Sequence, residues 1–159
     1  IMRFLRELPD LCAVEGDLRV NLSSDDAALT ALPNRLEVGG SLYLQKCPAL
    51  TALPERLTVG ANLDLSRCSS LTALSEKLEV GGSLNLGHCS ALATLPERLE
   101  VGGVLCFAHC SALTKLPENL EIRSSLILSH CSALVALPEI LIVEGDLSLS
   151  HAGLTAFPE

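Results

Sequence analysis

No tryptophan occurs in the 159 residues, and aromatic side chains make up only 3% of them. A core cannot then be assembled around large rings; it must be packed from Leu, Val, Ala and Cys, residues that suit a thin, regular interior. Positive charge is scarce as well, with 11 Lys and Arg against 19 Asp and Glu and a net charge of −8. Phosphate backbones draw their affinity from clustered Lys and Arg, so nucleic acid is excluded as the main partner, and an anionic membrane surface for the same reason. No apolar run approaches the ~18 to 20 uncharged residues that span a bilayer. The longest, Val101 to Ala108, holds two glycines and stops at His109. The opening Ile1-Met2-Arg3-Phe4-Leu5-Arg6 lacks the apolar stretch and small-residue cleavage site of a signal peptide, and the chain reads as a fragment of something longer.

What is present in quantity is hydrophobic side chain, 48% of the residues, which rules out a disordered tail. Seven Cys is an odd number, and five of them recur at a fixed interval with no second fixed position to pair with. Disulfide frameworks are not spaced that way, so a reducing compartment is expected.

The organisation is a repeat. Leu32-Pro33, Leu53-Pro54, Leu95-Pro96, Leu116-Pro117 and Leu137-Pro138 share one register with a period of 21 residues, and Leu74-Ser75 fills the place where Pro is missing. Each unit reads L-x-x-L-P-x-x-L-x-V-x-G-x-L-x-L-x-x-C. The first repeat, 9–32, is longer by three residues inserted around Leu22 to Ala28; regular repeats cover 33–137, and the last, 138–158, is one residue short. Atypical terminal units are usual in repeat arrays, whose ends face water rather than a neighbour. Within a unit Leu57, Val59, Ala61, Leu63 and Leu65 alternate as in a strand, and nothing recurs at helical spacing over ten residues. The Gly pairs, such as Gly81-Gly82, are expected to mark a corner that needs glycine dihedrals, and the Leu-Pro step a second corner, because Pro cannot donate to a ladder. A single coil cannot bury enough side chain to fold, so the array is stable only as one stacked domain over residues 1–159.

The runs Leu42-Tyr43-Leu44-Gln45-Lys46-Cys47 and Leu50-Thr51-Ala52-Leu53-Pro54 resemble the leucine-rich-repeat family over essentially the whole chain, from about Leu8 to Pro158. Cys stands where Asn is commoner. The Leu-Thr-x-Leu-Pro step is similar to short bacterial repeats of secreted effectors, including those joined to ubiquitin ligases. Cys110-Ser111-Ala112-Leu113-Thr114-Lys115-Leu116-Pro117 is also similar to plant disease-resistance receptors, whose units are longer. The resemblance implies a β-rich solenoid, a leucine-rich-repeat array of about seven coils with a parallel β-sheet and little or no α-helix. It also implies a binding task in the cytoplasm, or in a host cytoplasm after secretion.

If Leu42 and Leu44 point inward, the residue between them points out. Successive coils then line up Arg19, Tyr43, Asp64, Asn85, Cys106, Ile127 and Ser148 in one column, flanked by Asp17, Ser41, Asn62, Ser83, Val104, Ser125 and Asp146. These positions vary while their neighbours repeat. They form either a surface shaped for a partner, with Val104, Cys106 and Ile127 as a small apolar centre, or exposed positions that drift. A second column, Lys46, Arg67, His88, His109, His130 and His151, carries only groups that can be positive. Facing an acidic protein it supplies charge, and stacked imidazoles repel on protonation, which lowers their pKa. Read more simply, it is a solvated rim balanced by Glu55, Glu76, Glu97, Glu118 and Glu139.

Three further readings of the polar residues are weaker. The His-Cys pairs (His88-Cys89, His109-Cys110, His130-Cys131) do not make a metal site, because an inward Cys and an outward His cannot converge on one ion. The Cys ladder (Cys47, Cys68, Cys89, Cys110, Cys131) is core, each thiol a small hydrophobe with a weak S–H donor. Cys106 lies on the outward column, but no base is placed beside it by spacing. No activated nucleophile and no glycine-rich phosphate loop appear, so neither a catalytic residue nor a cofactor is implied. The expected function is a monomeric module that binds a protein ligand through its strand face. Alternatives are the recognition part of a ligase-type effector whose catalytic domain lies outside this chain, or a spacer.

Overall fold

The computed structural model describes residues 11–20 and 29–156. The expected insertion around Leu22 to Ala28, and the ends of the array at Leu8 and Pro158, lie outside the described residues. Each coil contributes two short strands. The first of each pair are β1 (Leu11–Val14), β3 (Arg35–Val38), β5 (Arg56–Val59), β7 (Lys77–Val80), β9 (Glu100–Val101), β11 (Asn119–Ile122) and β13 (Ile140–Val143). The second are β2 (Leu18–Arg19), β4 (Leu42–Tyr43), β6 (Leu63–Asp64), β8 (Leu84–Asn85), β10 (Leu105–Cys106), β12 (Leu126–Ile127) and β14 (Leu147–Ser148). Every pairing is parallel and joins a strand to its counterpart one coil on, Leu36 against Leu57 and Leu63 against Leu84. The second strands form one unbroken seven-stranded sheet, and no helix occurs among the described residues. The fold is therefore a parallel β-solenoid, with six turns linking seven layers.

Alternation decides which side chains enter the core. Leu57, Val59, Leu63 and Leu65 are buried, as are their counterparts in the neighbouring coils. Each such burial is worth roughly 1.5–3 kcal/mol, and it needs a coil on both sides. Leu126 is 0% exposed between two coils, whereas Leu147, in the same column with a coil on one side only, is 41% exposed.

The five ladder cysteines fill the inner corner and are fully buried. Four of their thiols donate back to the preceding coil, Cys68 to the Leu44 carbonyl and Cys89 to that of Leu65 at 3.2 Å, Cys110 to Leu86 and Cys131 to Phe107 at 3.1 Å, and Cys47 to the Gln45 carbonyl of its own coil. The weak donor expected of them is thus used, and all seven cysteines are free thiols.

The Gly corner works differently from expectation. No described glycine has positive φ. What requires glycine at 39, 60, 81 and 102 is close approach, because a Cβ on any of them would fall against the backbone carbonyl oxygen of the coil before. The approach lets Gly60 N–H donate to Val38 O, and Gly81 N–H to Val59 O, both at 2.8 Å.

The corner sequence changes where the first-strand ladder is interrupted. The first strands form a five-stranded sheet from β1 to β9 and a separate pair, β11 with β13. The corner glycine is replaced after β11 by Arg123, and the ladder stops between β9 and β11. One coil on, the same position is Glu144, which carries a side chain and still pairs, its N–H donating to Ile122 O at 2.9 Å.

Candidate functional site

The outward column of the seven-stranded sheet stands where the alternation places it, half-buried from Tyr43 through Asp64, Asn85, Cys106 and Ile127 to Ser148. Several of its members are partly engaged at home. Arg19 places its guanidinium 3.9 Å from the centre of the Tyr43 ring, a cation–π contact. Asp64 accepts from the Ser66 amide at 2.9 Å and from the Gln45 side chain at 2.6 Å, and Asn85 accepts from the Gly87 amide at 3.0 Å. Such bonds to the amide two residues on are local turn devices, so these groups are held in fixed orientation rather than free to adapt. Cys106 and Ile127 face each other across paired strands and leave an apolar step in the middle of a polar column.

The flanking column is engaged within the stack. Its side chains point along the stack and close the ladder: Asp17 accepts the Ser41 amide at 2.7 Å, Asn62 that of Ser83 at 2.8 Å, and Ser83 that of Val104 at 3.0 Å. Ser125 does the same for Asp146 at 3.0 Å. Asn62, expected at the binding face, is an exposed residue whose carbonyl is already committed. Val104 is half-buried and has no oxygen to offer, so the series skips the Ser125 amide.

The cationic column is where the backbone departs most from the ordinary. Lys46, Arg67, His88, His109, His130 and His151 all have φ between 57° and 65°, the left-handed region that side chains with a Cβ avoid. The cause is a tight turn at the end of each second strand. Cys89 N–H closes it on Leu86 O at 3.1 Å, which leaves His88 as the third residue of four, where a positive φ belongs to turns of the type II kind. Five of them, from Lys46 to His130, also tie their amides to the next coil, His88 to Ala108 O at 2.7 Å and His109 to Ser129 O at 2.8 Å. All six side chains are exposed. The imidazoles stack face to face, 4.4 Å between His88 and His109, 4.4 Å between His109 and His130, and 4.6 Å between His130 and His151. His130 has its pKa lowered from the usual imidazole value, first by loss of solvation and then by the charges of His109 and His151 on either side.

No family model, curated protein or solved structure matches this chain. What it does must therefore be read from its own geometry. Among the described residues no three His, Cys, Asp or Glu side chains are grouped to hold a metal ion, and no helix is long and apolar enough to cross a membrane. Burial pushes the Cys89 thiol up to about 12 and that of Cys131 to about 11, and it raises Cys110 likewise, which keeps these three protonated, whereas Cys68 is lowered, first through its hydrogen bonding with Cys47.

Two features escaped the sequence reading. One is the strained backbone of the cationic column, which Gly or Asn would have signalled and Lys, Arg and His do not. The other is a cleft of about 900 Å³ over the interruption between β9 and β11, lined by residues from Thr58 to Arg123. The pair Arg123-Ser124, standing in place of Gly-Gly, was the available sign.

Proposed function

We propose that this chain is a protein-binding module, without catalysis of its own, that takes an acidic partner along the outer side of the seven-stranded sheet. The observation that carries the proposal is the left-handed row from Lys46 to His151. Glycine would satisfy each turn at lower cost, by roughly 1–2 kcal/mol per residue, yet six successive coils place a long side chain with a basic nitrogen there. Backbone strain repeated at one exposed row is the kind that accompanies recognition. Beside it the outward column offers fixed, non-uniform chemistry, polar at Tyr43, Asp64 and Asn85 and apolar at Cys106 and Ile127, on a rigid parallel ladder. A spacer needs no such variety.

The 21-residue period and the Leu-x-Leu-x-x-Cys run support a place among leucine-rich repeats. On that reading the module selects the substrate of a secreted effector, with any ligase domain carried elsewhere. The test is a capture experiment comparing the unaltered chain with Ile127→Glu, with His109→Glu combined with His130→Glu, and with the distant control Glu118→Ala. Loss of one specific acidic protein in the first two, and its retention in the control, is the expected result. An identical captured set in all four would return the chain to the role of a spacer.

A further inference from the structure

The imidazole row is a ridge. His88 follows Gly87, His109 follows Ala108 and His130 follows Ser129; on the other side each has a buried Cys and then Ser90, Ser111 or Ser132. The rings therefore stand above small neighbours, exposed and stacked at 4.4 to 4.6 Å from His88 to His151. Among the described residues none of them has a carboxylate partner. The first-strand side carries the complement. Its cleft of about 900 Å³ crosses four coils, from Thr58 to Arg123, and so equals the four imidazoles in its number of rungs. Glu79 and Glu100 hold partnered positions on neighbouring strands, and Glu121 occupies the same place one repeat on. With Glu97 they bring four carboxylates into the lining against the guanidiniums of Arg98 and Arg123, and no ion pair joins the two sets among the described residues. Neighbouring strands lie ~4.8 Å apart, so the carboxylates recur at nearly the spacing of the rings.

We propose that this cleft receives the imidazole ridge of a second copy of the chain, so that molecules associate side by side once the histidines are charged. Charge and pitch both select this occupant. Ridge and cleft are built on the same 21-residue coil, so they stay in step over several rungs. A basic helix, whose side chains on one face recur about 5–6 Å apart, drifts out of step with the carboxylates. The ridge follows the second strand of each coil and the cleft lies over the first. The contact is therefore heterologous, each copy giving its ridge to one neighbour and its cleft to another, and it builds open rows rather than a closed dimer. Imidazole takes up its proton near pH 6.5 and a carboxylate keeps its charge down to about 4.3, so the two surfaces are opposite in sign between those values. At neutral pH the net charge of −8 keeps copies apart. The strands leading into the four imidazoles, β8, β10, β12 and β14, carry no charged side chain, Cys106 being their one titratable group, and Arg67 is the charge next in the row. Loss of solvation and the charges of His109 and His151 lower the pKa of His130 in the single chain, and carboxylates brought opposite offset that repulsion. The inference rests on the reading that the row accepts carboxylates, and it adds the molecule that supplies them.

The test is sedimentation velocity. The unaltered chain should associate more tightly at about pH 5.5 than at about pH 7.5, by on the order of tenfold, and salt should weaken the association. A ridge variant, His109→Asn with His130→Asn, and a cleft variant, Glu79→Lys with Glu100→Lys, should each lose that tightening when alone. Mixed at about pH 5.5 they should form one-to-one pairs that grow no further, because the first keeps its cleft and the second its ridge. The mixture also shows that neither variant is merely unfolded. A chain monomeric at both pH values, tightening that survives in either variant, or variants that do not pair when mixed each overturns the proposal. A monomeric chain that still captures an acidic protein through the row leaves the function proposed above standing without it.

Discussion

Raising the pH should unfold this protein through its buried cysteines. The Cys131 thiol is held up to about 11 and that of Cys89 to about 12, and burial raises that of Cys110 as well. In the unfolded chain all three return to about 8.5. Below that value both states keep their protons and nothing changes. Above it the unfolded chain sheds protons that the folded one retains, so stability falls as pH climbs toward the folded-state values. Each thiol costs about 1.4 kcal/mol per pH unit in that window. At about pH 10 three thiols, each roughly 1.5 units past their unfolded value, remove about 6 kcal/mol, as much as the whole stability of many domains. The assay is urea unfolding followed by circular dichroism at several pH values from about 7.5 upward, with thiolate absorbance recorded alongside. The midpoint should fall steeply above about pH 9 and thiolate should appear only with unfolding. Replacing Cys89, Cys110 and Cys131 together with Ala should flatten the pH slope while lowering the neutral-pH midpoint. A midpoint that holds to about pH 10, or a slope that survives the triple replacement, would refute the reasoning.

Gly81→Ala should destabilise by about 1–3 kcal/mol in thermal melts through forced separation of coils. Gly87→Ala, whose counterpart is Ala108 and whose added methyl meets the Asn85 side-chain oxygen at 3.2 Å rather than backbone of another coil, should change stability by less than about 1 kcal/mol. Ser75 stands where the other regular coils carry Pro, and its hydroxyl is buried without a hydrogen-bond partner. Ser75→Pro should therefore raise stability by about 1 kcal/mol, read as a higher melting temperature. His130 should titrate below the ordinary imidazole value by NMR, and replacing His109 and His151 with Asn should move it back up. Because its pKa is depressed in the folded state, His130 costs stability as pH falls below about 6.5, and Asn at 109 and 151 should lessen that loss.

The solenoid was legible because two simple regularities, a fixed period and strict alternation, determine which side chains enter the core. Leu57, Leu63 and Cys68 repeat at 21 residues and are buried where counting places them. Backbone conformation was less legible. The dihedrals of Lys46 or His109 are imposed by a turn and by a bond to the next coil, neither of which residue type reveals. The role of glycine was misread for a related reason: the limit at Gly81 is set by a carbonyl one coil away, not by local dihedrals. Among the expected binding residues, counting separated inside from outside correctly. It could not tell that the side chain of Asn62 runs along the stack to serve Ser83, because the direction of a polar group depends on which amide lies unpaired beside it.

Arg123 also divides the rod mechanically. Three amide bonds are missing at one cross-section of the first-strand side, while the seven-stranded side runs through it uncut, so the molecule has a hinge line with one intact leaf. Pulled or heated, it should open there like a book, the two C-terminal coils swinging about the sheet that still binds them to the rest.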